Sequence, residues 1–364
     1  MYYEIALTLL PGIGSVLARN LVSYCGSAEA VFAARRKRLL QVPGVGEAVL
    51  DAIRLETVAA RAAKEVAYIQ ERGIHFLPFT HPDYPRRLLQ CHDAPPVLYY
   101  TGNADLNAMR ILGIVGTRNA SAYGRQLCEE LVEGLAGEDV LIVSGLAYGI
   151  DITAHRACLK YDMPTVGVMA HGLDRIYPYA HRETAKKMQE RGGLLTECIS
   201  ETNPDRQNFP KRNRIVAGMI DGLIVVETGV NGGAVITALL ADDYHRDVMA
   251  FPGNVHQTLS AGCNKLIKQN RATLVENAED VKNVMGWHTS ADKKPVQTTL
   301  FPDLEPEEKI VYDLLQGTPE IYIDELQSKV RYTPGTLAGI LLSLEFKGVV
   351  CALPGHRYKL MHMH

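Results

Sequence analysis

Short, continuously apolar runs alternating with stretches of helical period constrain this chain more than any other feature. Between Gly73 and Met285 the runs read IHFLPF, VLYY, ILGIVG, VLIVSG, TVGVMA, GLLTEC, GLIVVE, VMAFPG and ATLVEN. A strand that is apolar at every position is buried on both faces, as happens when helices cover both sides of a mostly parallel sheet. The expectation for residues 73 to 286 is therefore an α/β domain with a Rossmann-like, doubly wound, mostly parallel sheet. In such sheets a ligand lies beyond the carboxyl ends of the strands, where the strand order reverses.

Three polar runs fall at that edge: VGTRNASAYG at 115–124, SGLAYGID at 144–151 and FPKRNRIVAG at 209–218. Gly116 lets the chain turn, Thr117 offers a hydroxyl and Arg118 a planar fork of donors. A helix starting near Ala122 would aim its N-terminus at the same place, which suits a phosphate. The competing expectation pairs Arg118 with Asp151 or Glu227. Ser144 and Gly145 offer a second anion position, with Asp151 as the cap of the following helix. His155 would complete a Ser/Asp/His set, but the G-x-S-x-G elbow is missing, so a structural His155 bonded within its own helix is favoured.

Lys211, Arg212 and Arg214 crowd a helix start, where cations are unfavourable unless an anion arrives. Asn213 adds hydrogen-bonding capacity, and Phe209 or Tyr148 could stack an unpaired base; Phe209 serves equally as core packing. NGGAVITA at 231–238 brings Gly232, Gly233 and Thr237 to the same edge. Asp151, Glu197 and Glu227 read as carboxylates that orient the arginines.

The flanks have their own signatures. Residues 1 to 72 contain an echo, LLPGIGSVLARNLV at 9–22 and QVPGVGEAVLDAI at 41–53, the pattern of a SAM-like pair of helix-hairpin-helix units. The glycines suit phosphate contact, and equally a tight helix-helix turn. Residues 287 to 305 lack periodicity and read as a linker. Residues 306 to 364 give three amphipathic helices and a β-wing, VVCALPGHRYKL, hence a winged helix. Its third helix offers Thr333, Thr336 and Ser343 but no basic residue before Lys347, which favours protein contact over base reading.

A net charge of -3 requires any nucleic-acid binding to come from a local patch. The seven cysteines are scattered through mostly apolar segments and read as reduced. No Cys/His pair has ligand spacing, and the terminal Met361-His362-Met363-His364 is too short to count, so neither a metal nor a cofactor is expected. The start lacks a basic leader and its apolar stretch breaks at Pro11, so a cytoplasmic location is expected.

Together HPDYPRRL, DAPPVLYYTGN, VGTRNASAYG, SGLAYGIDITAH, HGLDRIYP, FPKRNRIVAG, VVETGVNGGAVITA, FPGNVHQ and GCNKLIK resemble, in order, the bacterial DNA-processing protein A family, also called Smf. The resemblance implies a protein that is not an enzyme, forms a homodimer through its Rossmann-like domain and binds single-stranded DNA. It implies a mediator that shields incoming strands during natural transformation and loads the recombinase RecA in the presence of single-strand-binding protein. By motif position, Arg118, Ser144, Gly145, Lys211, Arg212, Asn213 and Arg214 would contact DNA. His171-Gly172, Asn231-Gly232-Gly233 and the stretch 201–208 depart from the family pattern, so local loop shape there is open. The alternative is an enzyme of the phosphoribohydrolase type, with Arg118, Glu227 and Thr237 cleaving an N-glycosidic bond. The loop NGGAVITALL lacks that family's Gly-Gly-x-Gly-Thr-x-x-Glu signature.

Overall fold

Two Pro-Gly-apolar-Gly turns organise the amino-terminal module of the structure, a computed structural model that describes residues 1–287, 304–316, 318 and 320–361. In each turn the first glycine is left-handed (Gly12 φ +78°, Gly44 φ +86°), a conformation costly for a residue with a Cβ. The second, Gly14 or Gly46, is the extended cap of the next helix. The helices are α1 (Tyr2–Leu9), α2 (Ser15–Cys25), α3 (Ala28–Ala33), α4 (Arg36–Leu39), α5 (Glu47–Ala52) and α6 (Leu55–Arg72). Their apolar faces enclose Ile5, Leu21, Val31 and Ile69, and the cluster continues into Val97 and Tyr99 of the sheet. Arg19 adds a polar tie, donating to the carbonyls of Cys91 at 2.9 Å and Leu89 at 3.3 Å.

Each apolar run forms a strand: β1 (His75–Pro78), β2 (Val97–Gly102), β3 (Arg110–Val115), β4 (Val140–Ser144), β5 (Thr165–Val168), β6 (Gly192–Thr196), β7 (Gly222–Val225), β8 (Asp247–Ala250) and β9 (Thr273–Leu274). They build a nine-stranded sheet in the order β1-β2-β6-β5-β4-β3-β7-β8-β9. β2 pairs antiparallel with β1 and β6, and the remaining ladders are parallel. From β3 the chain winds outward through β4, β5 and β6, then crosses back to β7 on the other side of β3. That reversal is the switch point.

Helices α7 (Arg86–Leu89), α8 (Ala122–Leu135), α9 (Ile150–Lys160), α10 (Arg182–Met188), α11 (Asn208–Met219), α12 (Gly233–Asp243), α13 (Ala261–Lys268) and α14 (Ala278–Val284) connect or follow the strands. Interior strands β4 to β7 are buried along their whole length, as their composition requires. At the amino-terminal ends of β3 and β7 a buried ion pair fixes the sheet. Arg87 Nε and Nη2 donate to Asp221 Oδ1 and Oδ2 at 2.6 and 2.9 Å, and the Ile111 N–H donates to Oδ2 at 2.9 Å.

The chain divides into two compact units, Met1–Asp280 and Val281–His364. The second contains α15 (Pro306–Gln316), β10 (Ile321–Tyr322), α16 (Ile323–Lys329), α17 (Pro334–Phe346), β11 (Val350–Leu353) and β12 (Arg357–Leu360). The strands form a three-stranded sheet in the order β10-β12-β11, which completes a winged helix around Val311, Leu326, Leu337 and Leu344. Thr333 caps α17, accepting from the Thr336 N–H at 3.2 Å, and Ser343 donates to the buried Glu308 at 2.6 Å. Of the linker expected at 287 to 305, residues 288–303 lie outside the described residues, as do His362 and His364.

Candidate functional site

The loops after β3, β4 and β7 and the amino-terminal ends of α11 and α12 enclose a groove of ≈ 750 Å³ at the switch point. Its lining includes Gly116, Thr117, Arg118, Gly145, Phe209, Arg212, Asn213, Gly232, Gly233 and Thr237. The sequence-derived loops thus meet at one place, but individual side chains behave differently from the expectation.

After β3 the helix end is already occupied by an anion. Ser121 caps α8 through its hydroxyl, which accepts from the Gly124 N–H at 3.0 Å. The Glu227 carboxylate accepts from the Ser121 N–H at 2.9 Å and hydroxyl at 2.7 Å. A carboxylate at the positive end of α8 fills the position read from sequence as phosphate-binding. The Thr117 N–H is likewise engaged, donating to the Glu227 carbonyl at 2.7 Å. Arg118 pairs with neither Asp151 nor Glu227 and lies exposed, its guanidinium carbon 4.9 Å from the Phe209 ring centroid. Phe209 is therefore not core packing: it is half-buried at the groove wall.

After β4 the hydroxyl of Ser144 is fully buried and donates to the Ile114 carbonyl at 2.5 Å, so it ties two strands and does not face the groove. The cap of α9 is Gly149 and not Asp151, whose carboxylate sits in the first helical turn and accepts from the Ala147 N–H at 3.4 Å. His155 bonds outside its own helix. Thr165 Oγ1 donates to the Ile142 carbonyl at 3.0 Å and so accepts from His155 Nδ1–H at 2.7 Å, leaving His155 Nε2 buried with no partner among the described residues. Burial holds this imidazole neutral, its pKa lowered to about 3.

On α11 the helical period sorts the basic run onto different faces. Phe209 and Asn213, four apart, face the groove. Lys211 and Arg214, three apart, face a neighbouring recess of ≈ 450 Å³ bounded by Gly14 and Ser15 of the first hairpin turn and by Glu197. Lys211 is exposed, whereas Arg214 turns inward to Glu197, the Asp93 carbonyl and, at 3.3 Å, Ser15 Oγ. Arg212 is 5% exposed and runs beneath the loop, its Nη1 donating to the Val168 carbonyl at 2.7 Å. A Cβ at Gly145 would lie 1.8 Å from Arg212 Nη1, so Gly145 is the glycine that this buried arginine requires. Burial disfavours the Arg212 charge and Arg118 adds repulsion, while Asp151 draws it the other way. Burial in turn raises the Asp151 pKa and the Arg212 charge lowers it.

The open cations of the site are therefore Arg118 and Lys211, joined by Arg206 at the groove margin. Arg206 and Tyr177, which also lines the groove, were not legible as site residues. Both lie in irregular segments with no periodicity to orient them. Among the described residues no group of His, Cys, Asp or Glu is placed to hold a metal ion.

Fold and groove define a class: a doubly wound α/β protein with a cation-edged, glycine-lined switch-point groove, carrying a tandem hairpin module before it in sequence and a winged helix after it. The chain belongs to the DNA recombination-mediator protein A family, whose pattern matches residues 75–286. Residues 4–57 match the SAM-like helix-hairpin-helix tandem and residues 295–356 the DprA winged helix domain. Protein Smf of Synechocystis is 30% identical over 98% of each chain. The DNA processing protein A structure from Streptococcus pneumoniae superposes with a TM-score of 0.69 at 31% identity, covering 78% of this chain and 97% of that one. DNA processing protein A from Helicobacter pylori, described for its single-stranded DNA binding mode, superposes at 0.54 with 26% identity, covering 59% and 96%.

Proposed function

We propose that this protein is a recombination mediator that holds single-stranded DNA in the switch-point groove. The observation that carries the reading is Arg118, an exposed guanidinium stacked on Phe209 beside a ≈ 750 Å³ groove lined by glycines. A phosphate meets the cation while a base meets the ring, and neither contact depends on base identity. In this reading Arg118, Lys211, Asn213 and Phe209, with Gly116 and Thr117 at the turn, touch the strand. Ser144, Gly145, Arg212 and Arg214 shape the wall behind it.

The wider role follows the family: a homodimer through the α/β domain that shields incoming strands and loads RecA beside single-strand-binding protein during natural transformation. The winged helix serves protein contact. Its third-helix hydroxyls are engaged within the domain, and Leu342 and Phe346 stand 54% and 84% exposed on that helix.

Titrating labelled oligonucleotides of several sequences across a salt series tests the core of the proposal. Affinity should fall linearly in log–log form, as counterion release requires. Arg118→Ala should weaken every sequence alike, by about tenfold for the loss of one charge and stack. Salt-insensitive binding, or a loss confined to one sequence, would reject it.

A further inference from the structure

We propose that the stacking surface continues beyond Phe209 along three exposed tyrosines, Tyr148, Tyr177 and Tyr179, to a basic shoulder formed by Arg156, Arg182 and Lys187. A single strand leaving the groove lays further bases on these rings. This rests on the single-strand reading of the groove.

Tyrosine rings carry a large apolar surface and are usually at least partly buried. Here Tyr148, Tyr177 and Tyr179 are 49%, 47% and 73% exposed. Two of them are continuous with the groove: the Tyr177 and Phe209 centroids lie 6.2 Å apart, and a recess lined by Arg118, Tyr148, Tyr177 and Phe209 joins them, while Tyr179 follows Tyr177 by two residues in the chain. Each outer ring is supported from the side, leaving much of its surface open. Tyr148 stands edge-on to His181 with centroids 4.9 Å apart at 72°. Tyr179 accepts from Arg182 Nη1 at 3.2 Å, and the guanidinium carbon lies 5.9 Å from its centroid. Rings held in this way lose little side-chain freedom when a base stacks on them.

Beyond the rings the cations Arg156, Lys160, Lys187 and Arg191 outnumber the carboxylates of Asp162 and Glu190, a balance of the sign a strand needs. Arg156 and Lys187 edge a recess in which Lys160 and Arg191 pair with Glu129 and Asp162, whereas Arg156 and Lys187 have no carboxylate partner among the described residues. Arg156 Nε reaches only the Thr184 hydroxyl, at 3.5 Å. Unpaired cations beside sequence-tolerant stacking platforms form the combination that tracks an unpaired polynucleotide. A protein partner would also use Tyr and Arg, and the test separates the two.

The full chain is titrated with labelled oligothymidylates of about 5 and about 15 nucleotides, bracketing typical single-strand site sizes. Tyr179→Ala should weaken the longer strand by about tenfold and leave the shorter unchanged, and Tyr148→Ala, beside the groove, should weaken the longer strand at least as much. Tyr148→Phe and Tyr179→Phe, which keep the ring, should retain affinity for both. If the alanine variants bind the longer strand as the parent does while Arg118→Ala weakens both lengths, the track is rejected and the groove stands. The track is rejected equally if they alter only self-association. If the parent binds neither length, the groove reading itself fails and takes the track with it.

Discussion

Gly145 and Arg212 occupy mutually exclusive space. Gly145→Ala would place a methyl group where Arg212 Nη1 lies, and the guanidinium would have to leave the Val168 carbonyl, stranding buried polar atoms. The expected cost is about 1–3 kcal/mol, read as a lower urea midpoint with an unchanged slope. An unaltered midpoint would mean that the side chain has room to swing clear. The Arg87–Asp221 pair is a sterner case, because both groups are buried and Asp221 also holds the Ile111 amide. Arg87→Leu should destabilise by about 3–5 kcal/mol, since it breaks a buried ion pair by removing the guanidinium alone. These residues differ in how readable they were. Arg118 announced itself beside a glycine at a strand end, but nothing in the residue types of Arg212, Arg214 or Ser144 showed that they turn inward. Direction depends on packing across chain-distant neighbours such as Val168, Glu197 and Ile114, which no local pattern encodes.

Helix ends and helix faces decide what the basic run and the glycine loops do. The α8 terminus was legible as a helix start near Ala122, and its cap Ser121 is a residue type that caps well. What the sequence could not show was that Glu227, from the loop after β7, would complete that end. Ser121→Ala removes the cap and one of the two Glu227 hydrogen bonds that Ser121 makes; a loss of about 1 kcal/mol or somewhat more should appear in thermal melts. The alternating strands were legible because burial on both faces leaves an unbroken apolar run, and the repeated hairpin because its turn demands glycine twice. The order of the strands was not, because pairing partners such as β3 and β7 are far apart in sequence.

Acid should loosen the molecule as a whole. Burial lowers the pKa of His155, His171 and His181, in each case against the charged form. For His155 the folded value near 3 lies below the unfolded value of 6.5, so the unfolded chain binds the extra proton between them. Stability is thus complete above the unfolded value and declines as pH falls towards the folded one, by up to about 1.4 kcal/mol per pH unit for each such proton. Denaturant unfolding from pH 7 to pH 4 should show this decline, and His155→Gln should make it shallower. An equal slope in the variant would assign the acid sensitivity elsewhere.

The open cations lie on either side of α11, Arg118 at the groove and Lys211 at the neighbouring recess, and this has a mechanical corollary. A polyanion gripped from both sides must curl around a cylinder about 10 Å across. A lone strand, with free torsions at every nucleotide, bends that tightly at little expense, whereas duplex DNA stays nearly straight over about 150 base pairs. Stiffness alone would then turn the double helix away, without any residue having to inspect how many strands are present.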